Sequence, residues 1–220
     1  MQFHQLIKTK KVIFWDFDGV IKDSVPVKTK AFAKLFEKYG SDVQKEVVSY
    51  HLKHGGVSRF DKVRYFYTQL LGKTITEIEL NQVCDEFSDI VLQGVIDSPW
   101  VPGVHNYLIN NPYNQEFVLV TGTPQEEIEL ILERLQLKGI FSSIHGSPNE
   151  KKEVVKSYIN NHAADKNDLL MIGDANTDYE AAILNNITFV LRKTDDNLPM
   201  HALNNIYAIN DFNDIEGVSI

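Results

Sequence analysis

The sequence predicts an α/β fold, in which helices cover both faces of a parallel β-sheet. Three short runs, at 12–15, 117–120 and 169–172, consist of apolar residues only. Continuous rather than alternating hydrophobicity is typical of strands that are buried on both faces. Amphipathic patterns with helical spacing lie between these runs, and this alternation of strands with helices indicates a parallel sheet.

Three further strands and three helices are predicted within this α/β pattern. The weaker strand candidates are 140–144, 188–191 and 206–209. The helices are expected at 124–137, 151–159 and 178–184. For the first of these helices, we expect Thr123 to be the N-cap and Glu126 to complete a capping box. Ligands of such sheets bind at the carboxyl ends of the strands, so polar residues there are candidates for a functional site.

The stretch between the first two apolar runs shows helical periodicity and no strand pattern. Helices are predicted there at about 26–39, 42–53, 59–71 and 76–96. Gly40 is a C-terminal stop for the first of them, and the prolines and glycine of 99–103 mark the return to the α/β pattern. We therefore predict an α/β core formed by residues 1–23 and 98–220, with a helical domain, residues 24–97, inserted after the first strand.

The composition narrows the class of protein. The 220 residues include 22 Lys and Arg against 30 Asp and Glu, a net charge of −8, which argues against nonspecific nucleic-acid binding. Cys84 is the single cysteine, so an intramolecular disulfide and a zinc site built from several thiolates are excluded. The first five residues are too polar for a signal peptide and no apolar run could span a bilayer. We expect a cytoplasmic protein that acts away from membranes.

Two acidic residues directly follow the first predicted strand, in Asp16-Phe17-Asp18-Gly19. If the strand geometry continues, the side chains of Asp16 and Asp18 point the same way. Two carboxylates so close repel each other unless a cation lies between them, and ligands that are all oxygen favour Mg²⁺ or Ca²⁺. The alternative is a pair of loop carboxylates that face solvent.

A second acidic pair follows the strand at 169–172, in the segment 173–178 (Gly-Asp-Ala-Asn-Thr-Asp). It would bring Asp174 and Asp178 to the same edge of the sheet, where they would add oxygen ligands for the same ion. Asp is also a common helix N-cap, so either residue could cap the helix that begins here. The two roles are compatible.

Two segments could bind an anion. Thr121-Gly122-Thr123 lies between a strand and a helix N-terminus, where backbone N–H groups and a hydroxyl can bind a phosphate. A turn with an N-cap explains it equally well. Lys151 and Lys152 are the first residues of a predicted helix. A cation there is unfavourable for the helix dipole, which favours a functional role for a lysine over the alternative that both belong to a solvated charged face.

These four segments, in this order, resemble the four motifs of the haloacid dehalogenase superfamily, in the branch with a helical cap after the first strand. The matching positions are Asp16 to Val20, Thr121, Lys151, and Gly173 to Asp178. Lys151 is preferred to Lys152 because of its position after Ser147-Pro148. The resemblance extends from about residue 11 to 192 and implies a Rossmann-like core, similar to phosphoglycolate phosphatases and β-phosphoglucomutase-like phosphatases.

The resemblance implies phosphoryl transfer through an aspartyl-phosphate. Asp16 would attack phosphorus, and Asp18 would protonate the leaving alcohol and then activate water. Mg²⁺ would be held by Asp16, the backbone carbonyl of Asp18 and Asp174. Asp178 would be a further ligand through water or would hold Lys151.

The same resemblance assigns the phosphate-binding groups and the type of reaction. Thr121, Gly122 and Lys151 would bind the non-bridging phosphate oxygens. Asp18 favours a phosphatase or phosphomutase over a dehalogenase, because the expulsion of a halide needs no proton.

The predicted cap should select the substrate. Segment 56–59 (Gly-Val-Ser-Arg) resembles one in sugar phosphomutases and hexose phosphatases, whose arginine can reach a substrate phosphate. Alternatively, Arg59 merely starts an amphipathic helix. Lys28 stands where those mutases carry a histidine linked to cap closure and proton transfer, which favours a hydrolase. We therefore expect a Mg²⁺-dependent phosphatase for a small phosphorylated metabolite such as a sugar phosphate. The alternatives are a sugar phosphomutase and a catalytically silent phosphate-binding module.

Overall fold

The computed structural model of the chain describes residues 3–204, 206–213 and 215. The strands in this part are Val12–Trp15 (β1), Glu116–Pro124 (β2), Ser143–Ser147 (β3), Leu169–Gly173 (β4), Thr188–Arg192 (β5) and Tyr207–Ile209 (β6). The α-helices are Phe3–Ile7 (α1), Val25–Phe36 (α2), Ser41–Lys53 (α3), Arg59–Tyr65 (α4), Glu77–Asp97 (α5), Val104–Asn110 (α6), Gln125–Arg134 (α7), Lys151–His162 (α8) and Asn176–Asn185 (α9). The outer ends of the predicted core, residues 1–2 and 216–220, lie outside the described residues.

The strands form one parallel sheet in the order β3-β2-β1-β4-β5-β6. β1 therefore lies between β2 and β4, and its last residue, Trp15, is in register with Leu119 of β2 and Ile172 of β4. This arrangement confirms the predicted α/β fold class. It also places the carboxyl ends of β1, β2 and β4 side by side, which is where the sequence has its acidic and hydroxyl residues.

The continuous hydrophobicity of β1 reflects burial on both faces of the sheet. Ile13 and Trp15 belong to one hydrophobic cluster, whereas Phe14 belongs to a second cluster on the opposite face. All three side chains are fully buried. Because neighbouring residues of a strand point to opposite faces, a four-residue strand covered on both sides has no position for a polar residue.

Residues 24–97 form helices where the sequence predicts them, and these helices pack around aromatic side chains. Phe32 of α2 lies 4.2 Å from Phe87 of α5 and 5.6 Å from Phe66, measured between ring centroids. The helix expected over 59–71 is α4 followed by a π-helical turn at Phe66–Leu70. Among the described residues, no helix has both the length and the hydrophobicity needed to cross a bilayer.

Two chain segments connect these helices to the sheet, and they lie next to each other. The Asp23 N–H donates to the Pro99 carbonyl at 2.9 Å, and the Val101 N–H donates to the Ile21 carbonyl at 3.1 Å. The two covalent connections between the helical segment and the sheet therefore lie side by side.

Two local predictions are corrected by the structure. The strand expected at 140–144 begins at residue 143, because Lys138–Ile140 form a 3₁₀ turn. Helix α7 begins at Gln125 with Pro124 as its N-cap, and no side chain caps it. Thr123 does not cap this helix because its hydroxyl is bonded to Asp18 and Lys28.

Candidate active site

The predicted site residues meet at the carboxyl edge of the sheet. Asp16 directly follows β1, Thr121 lies in the last part of β2, and Asp174 directly follows β4. Lys151 is the first residue of α8, which follows β3. Neighbouring parallel strands end at the same edge, so topology brings together residues that are far apart along the chain.

Asp16 lies at the centre of this group. Its side chain is 4% exposed and its Oδ1 atom accepts hydrogen bonds from the Phe17 N–H at 2.8 Å and from the Lys151 ammonium at 2.9 Å. Burial raises the pKa of Asp16 to about 7, and Asp178 acts in the same direction while Lys151 opposes it. A carboxylate in this position is poorly solvated and depends on a neighbouring cation for its charge.

Lys151 joins Asp16 to Asp178. The Lys151 ammonium donates to Asp178 Oδ1 at 2.7 Å, and Asp178 Oδ2 accepts from the Ala175 N–H at 3.1 Å. Burial acts to lower the pKa of Lys151, but Asp16 and Asp178 outweigh it and raise that pKa. Asp178 therefore holds Lys151 and also satisfies a backbone N–H at the start of α9. By contrast, Lys152 is half exposed and pairs with Glu150 at 2.8 Å.

Three carboxylates form a cluster with the composition of a site for a hard cation. Asp16, Asp174 and Asp178 each offer one oxygen, and these oxygens lie within 4.8 Å of one another. Burial raises the pKa of Asp174 well above its usual value, and Asp16 and Asp178 raise it further. Because a cation would relieve this repulsion and all the donors are oxygens, the residues fit Mg²⁺.

Gly19 makes room for this cluster. It has a φ of +76°, and a Cβ at this position would lie 2.0 Å from Asp174 Oδ2. The left-handed backbone and the close approach both require glycine here. The glycine of the first sequence motif thus allows Asp174 to lie against the turn that carries Asp16 and Asp18.

The Asp18 side chain has partners of its own, separate from the three-carboxylate cluster. Oδ1 accepts from the Ser24 hydroxyl at 2.6 Å, and Oδ2 accepts from the Thr123 hydroxyl at 3.1 Å and from the Lys28 ammonium. Lys28 also donates to Thr123 Oγ1 at 2.8 Å. Burial acts to raise the pKa of Asp18, but Lys28 and the two hydroxyls outweigh it and lower that pKa. This arrangement leaves the backbone carbonyl of Asp18 as the group predicted to contact a metal.

Sequence reasoning did not assign Ser24, Lys28 and Thr123 to Asp18. The family resemblance marks Lys28 only as the position where mutases carry a histidine, and the sequence pattern predicts Thr123 as a helix N-cap. One usable signal was present, since Ser24 and Lys28 are four residues apart at the start of α2 and so share a helix face. Which face meets Asp18 depends on how α2 packs against the sheet.

The predicted phosphate-binding residues line a small cavity. Thr121 is buried, and its Oγ1 accepts from the Thr123 N–H at 3.2 Å. Together with Gly122 and Lys151 it lines a cavity of about 200 Å³. A larger cavity of about 370 Å³ is lined by Asp16, Asp18, Asp174 and side chains of the helical segment.

The backbones of Gly56 and Gly122 meet between the two cavities. Both glycines line both cavities. A Cβ on Gly122 would lie 2.6 Å from the Gly56 carbonyl oxygen, and a Cβ on Gly56, where φ is +73°, would lie 1.9 Å from Thr177 Oγ1. Glycine at both positions lets the loop before α4 rest directly on the carboxyl edge of the sheet.

Arg59 forms a buried ion pair across the two parts of the chain. Its guanidinium donates to both carboxylate oxygens of Glu127 in α7, at 2.8 and 2.5 Å, and to the Ser88 hydroxyl at 2.5 Å. It also lies 4.6 Å from the ring centre of Phe87. Arg59 does begin α4, but it is not a surface charge. A substrate phosphate would have to compete with Glu127 for this arginine, so the geometry favours a role in holding α4 against α7.

Comparisons with known proteins agree with this arrangement. A family model described as haloacid dehalogenase-like hydrolase matches residues 12–191. A search of curated proteins finds no match to the chain.

Several solved structures share the fold at low sequence identity. A predicted phosphoglycolate phosphatase from Haemophilus somnus superposes with a TM-score of 0.71 at 17% identity, over 93% of this chain and 95% of that one. β-Phosphoglucomutase from Clostridium difficile gives a TM-score of 0.71 at 21% identity, over 93% of this chain and 92% of that one. CbbY from Rhodobacter sphaeroides, solved in complex with phosphate, gives 0.72 at 11% identity, over 92% and 95%. Because the family model covers most of the sequence, this chain belongs to the haloacid dehalogenase-like hydrolase family.

Proposed function

We propose that the protein is a Mg²⁺-dependent phosphatase that hydrolyses a small phosphorylated metabolite through an aspartyl-phosphate on Asp16. One observation carries the proposal: two carboxylates only two residues apart have opposite environments. Asp16 is buried against Lys151 with a raised pKa, whereas Asp18 is held by Ser24, Lys28 and Thr123 with a lowered pKa. Carboxylates whose environments separate their pKa values are suited to different roles in one reaction. A cation bound at the carboxylate cluster would lower the pKa of Asp16 and favour the ionised form that attacks phosphorus.

In the proposed reaction, Asp16 attacks phosphorus and the bond from phosphorus to the leaving oxygen breaks. A proton that Asp18 has taken up from solvent passes to that oxygen, so the product leaves as an alcohol and Asp18 is left ionised. Asp18 then takes a proton from water, and the resulting hydroxide attacks phosphorus and releases phosphate from Asp16. Lys28 and the two hydroxyls favour the ionised form of Asp18, which is the form that activates water, so the acid step uses its less populated protonated form.

The remaining predicted residues would bind the phosphate and the ion. Mg²⁺ held by Asp16, Asp174 and the backbone carbonyl of Asp18 would offset the repulsion between the Asp16 carboxylate and the phosphate. Lys151, held in place by Asp178, and the Thr121-Gly122 segment would bind the non-bridging oxygens. These assignments require Lys151 to exchange part of its contact with Asp16 for one with the phosphate.

We further propose that residues 24–97 act as a cap domain over a core formed by 1–23 and 98–220. The adjacent connections near Asp23 and Val101 support this, because one narrow attachment allows the segment to move as a unit. The Arg59–Glu127 pair and the contact of Gly56 with Gly122 would then belong to the closed position, in which the larger cavity is shielded from water.

The first experiment measures phosphate release from a panel of sugar phosphates and other phosphorylated metabolites, with Mg²⁺ and with EDTA. We expect release with Mg²⁺, its loss in EDTA, and its recovery when Mg²⁺ is added back in excess. The Asp16→Asn protein, purified in the same way, controls for a contaminating phosphatase.

The other outcomes distinguish the alternatives. Release that continues unchanged in EDTA would contradict the metal assignment. Isomerisation of a sugar phosphate that outpaces phosphate release would identify a phosphomutase. Phosphate binding without turnover across the panel would support a catalytically silent binding module.

The contact between Gly56 and Gly122 makes a separate prediction about closure. Gly122→Ala places a methyl group against the Gly56 carbonyl. Because the atoms it meets belong to the Gly56 backbone and not to a flexible side chain, the loop before α4 must move away. We expect kcat/KM to fall at least about 10-fold, because small displacements of positioning groups are costly. Gly139→Ala is the matched control, since a Cβ there meets no atom within 4 Å among the described residues. Equal activity of the two variants would contradict the proposed closed state.

A further inference from the structure

Lys62 and His51 lie in the wall of the larger cavity that the helical segment contributes. Lys62 belongs to α4 and His51 to α3, and their side chains are 3% and 7% exposed. Both line the cavity of about 370 Å³ whose opposite wall carries Asp16, Asp18 and Asp174. The proposed chemistry uses neither residue.

Lys62 is a buried cation without the counter-ion that Lys28 and Arg59, which line the same cavity, each have. Lys28 pairs with Asp18 and Arg59 pairs with Glu127. Within the part of the chain that the structure describes, no carboxylate oxygen lies within 4.0 Å of the Lys62 ammonium. Its contacts are His51 Nδ1 at 3.0 Å and the His51 carbonyl at 3.4 Å. Burial lowers the pKa of Lys62 to about 7, and the nearby Lys28 acts in the same direction.

His51 adds a second unsatisfied donor. Burial and the nearby Lys62 together lower the pKa of its ring to about 2, so the imidazole is neutral. When Lys62 is charged its ammonium can only donate, so in that state Nδ1 accepts from Lys62 and the ring proton resides on Nε2. His51 Nε2 is buried and has no hydrogen-bond partner among the described residues. A buried donor without a partner costs free energy unless a ligand supplies the acceptor.

We propose that Lys62 and His51 bind a second anionic group of the substrate, a carboxylate or a second phosphate, at the end remote from the phosphate that is hydrolysed. This inference rests on the proposed function, which places that phosphate at the opposite wall. An anion beside Lys62 would supply the missing counter-charge and accept from a donor that is otherwise unsatisfied. Phe32 and Phe87 also line the cavity, and their low polarity strengthens an ionic contact. The cavity has the volume of a small metabolite.

Binding is measured by calorimetry in the Asp16→Asn background with Mg²⁺, so that no probe is turned over. The probes are pairs that differ in the remote group. They are 2-phosphoglycolate and ethyl phosphate, 3-phosphoglycerate and glycerol 3-phosphate, and fructose 1,6-bisphosphate and fructose 6-phosphate. We expect the member with the second anionic group to bind at least 10-fold more tightly in one or more pairs. The first two pairs test a carboxylate and the third tests a phosphate.

Lys62→Met, added to this background, should reduce that preference to less than 3-fold while binding of the other member changes less than 2-fold. Lys22→Met is the matched control. Lys22 is also buried, its ammonium lies 4.2 Å from the ring centre of Trp100, and it has no carboxylate within 4.0 Å in the described part of the chain. The control should retain the preference.

Equal affinity for both members of every pair, or an equal loss for both in Lys62→Met, would overturn the proposal. Because binding is measured without turnover, an intact preference in a protein that never releases phosphate would contradict only the proposed function. If Lys62→Met does not fold, the His51→Gln variant provides the second test, with an expected preference reduced at least 3-fold.

Discussion

Replacing Asp16 with asparagine is expected to reduce phosphate release at least about 10⁴-fold, as the loss of a nucleophile does in other covalent enzymes. Asparagine has nearly the same shape, and its oxygen can accept from the Phe17 N–H in place of Oδ1. Because the amide cannot attack phosphorus, the reaction stops before the phosphoenzyme forms. The fold should be retained, since burial and Asp178 already raise the pKa of Asp16 and disfavour its charged form.

Three measurements make this expectation sharp. The wild-type protein, quenched in acid during turnover, should carry a phosphoryl group on the peptide that contains Asp16, and Asp16→Asn should carry none. Asp18→Asn, supplied with a phosphate ester whose leaving group needs no proton, should retain the label, because water is no longer activated to remove it. Asp42→Asn, at a side chain that is 96% exposed, should behave like the wild type. Unchanged turnover in Asp16→Asn, or a label elsewhere, would contradict the assigned nucleophile.

Replacing Lys151 with methionine is expected to impair both activity and stability. The phosphate loses a cation that binds its oxygens, so kcat/KM should fall about 10²–10³-fold. The buried carboxylates of Asp16 and Asp178 lose their ion pair, and the free energy of unfolding without metal should fall by about 3 kcal/mol. Mg²⁺ should restore part of the loss, because it supplies positive charge to the same oxygens.

The neighbouring lysine provides the control for this substitution. Lys152 is half exposed and pairs with Glu150 at the surface, so Lys152→Met should change kcat/KM less than about 2-fold. Thermal unfolding with and without Mg²⁺ completes the test, and the rise in Tm on adding Mg²⁺ should be larger for Lys151→Met than for the wild type. Equal effects of the two substitutions on kcat/KM would contradict the choice of Lys151.

Much of the fold could be predicted because its signals are local. The apolar runs that became β1, β2 and β4 are continuous because both faces of those strands are covered, and this shows in a window of four residues. Boundaries were less accurate where a short turn competed with a strand. Because of the 3₁₀ turn at Lys138–Ile140, β3 begins later in the chain than predicted. One turn of helix and the start of a strand can have similar local sequences, so the sequence did not distinguish them.

The meeting of the acidic residues at the candidate site could also be predicted from the sequence. Asp16 and Asp174 each follow a buried strand, and parallel strands end at a common edge, so their meeting follows from the topology alone. Asp178 could be placed with them because it lies one helical turn after Asp174.

Only the tertiary structure decided the partners of these residues. Thr123 reaches Asp18 across 105 positions of the chain and Arg59 reaches Glu127 across 68. Such contacts depend on how the helical segment packs against the sheet, and neither partner carries a local pattern that identifies the other. By itself the sequence determined the strands, the sheet edge and the acidic residues on it. The packing of the folded chain determined which hydroxyls and which lysine bind Asp18. It also determined that Arg59 pairs with Glu127 and that Lys62 is buried without a counter-ion. The physical reason is that burial and ion pairing depend on surfaces that meet only when the chain is folded.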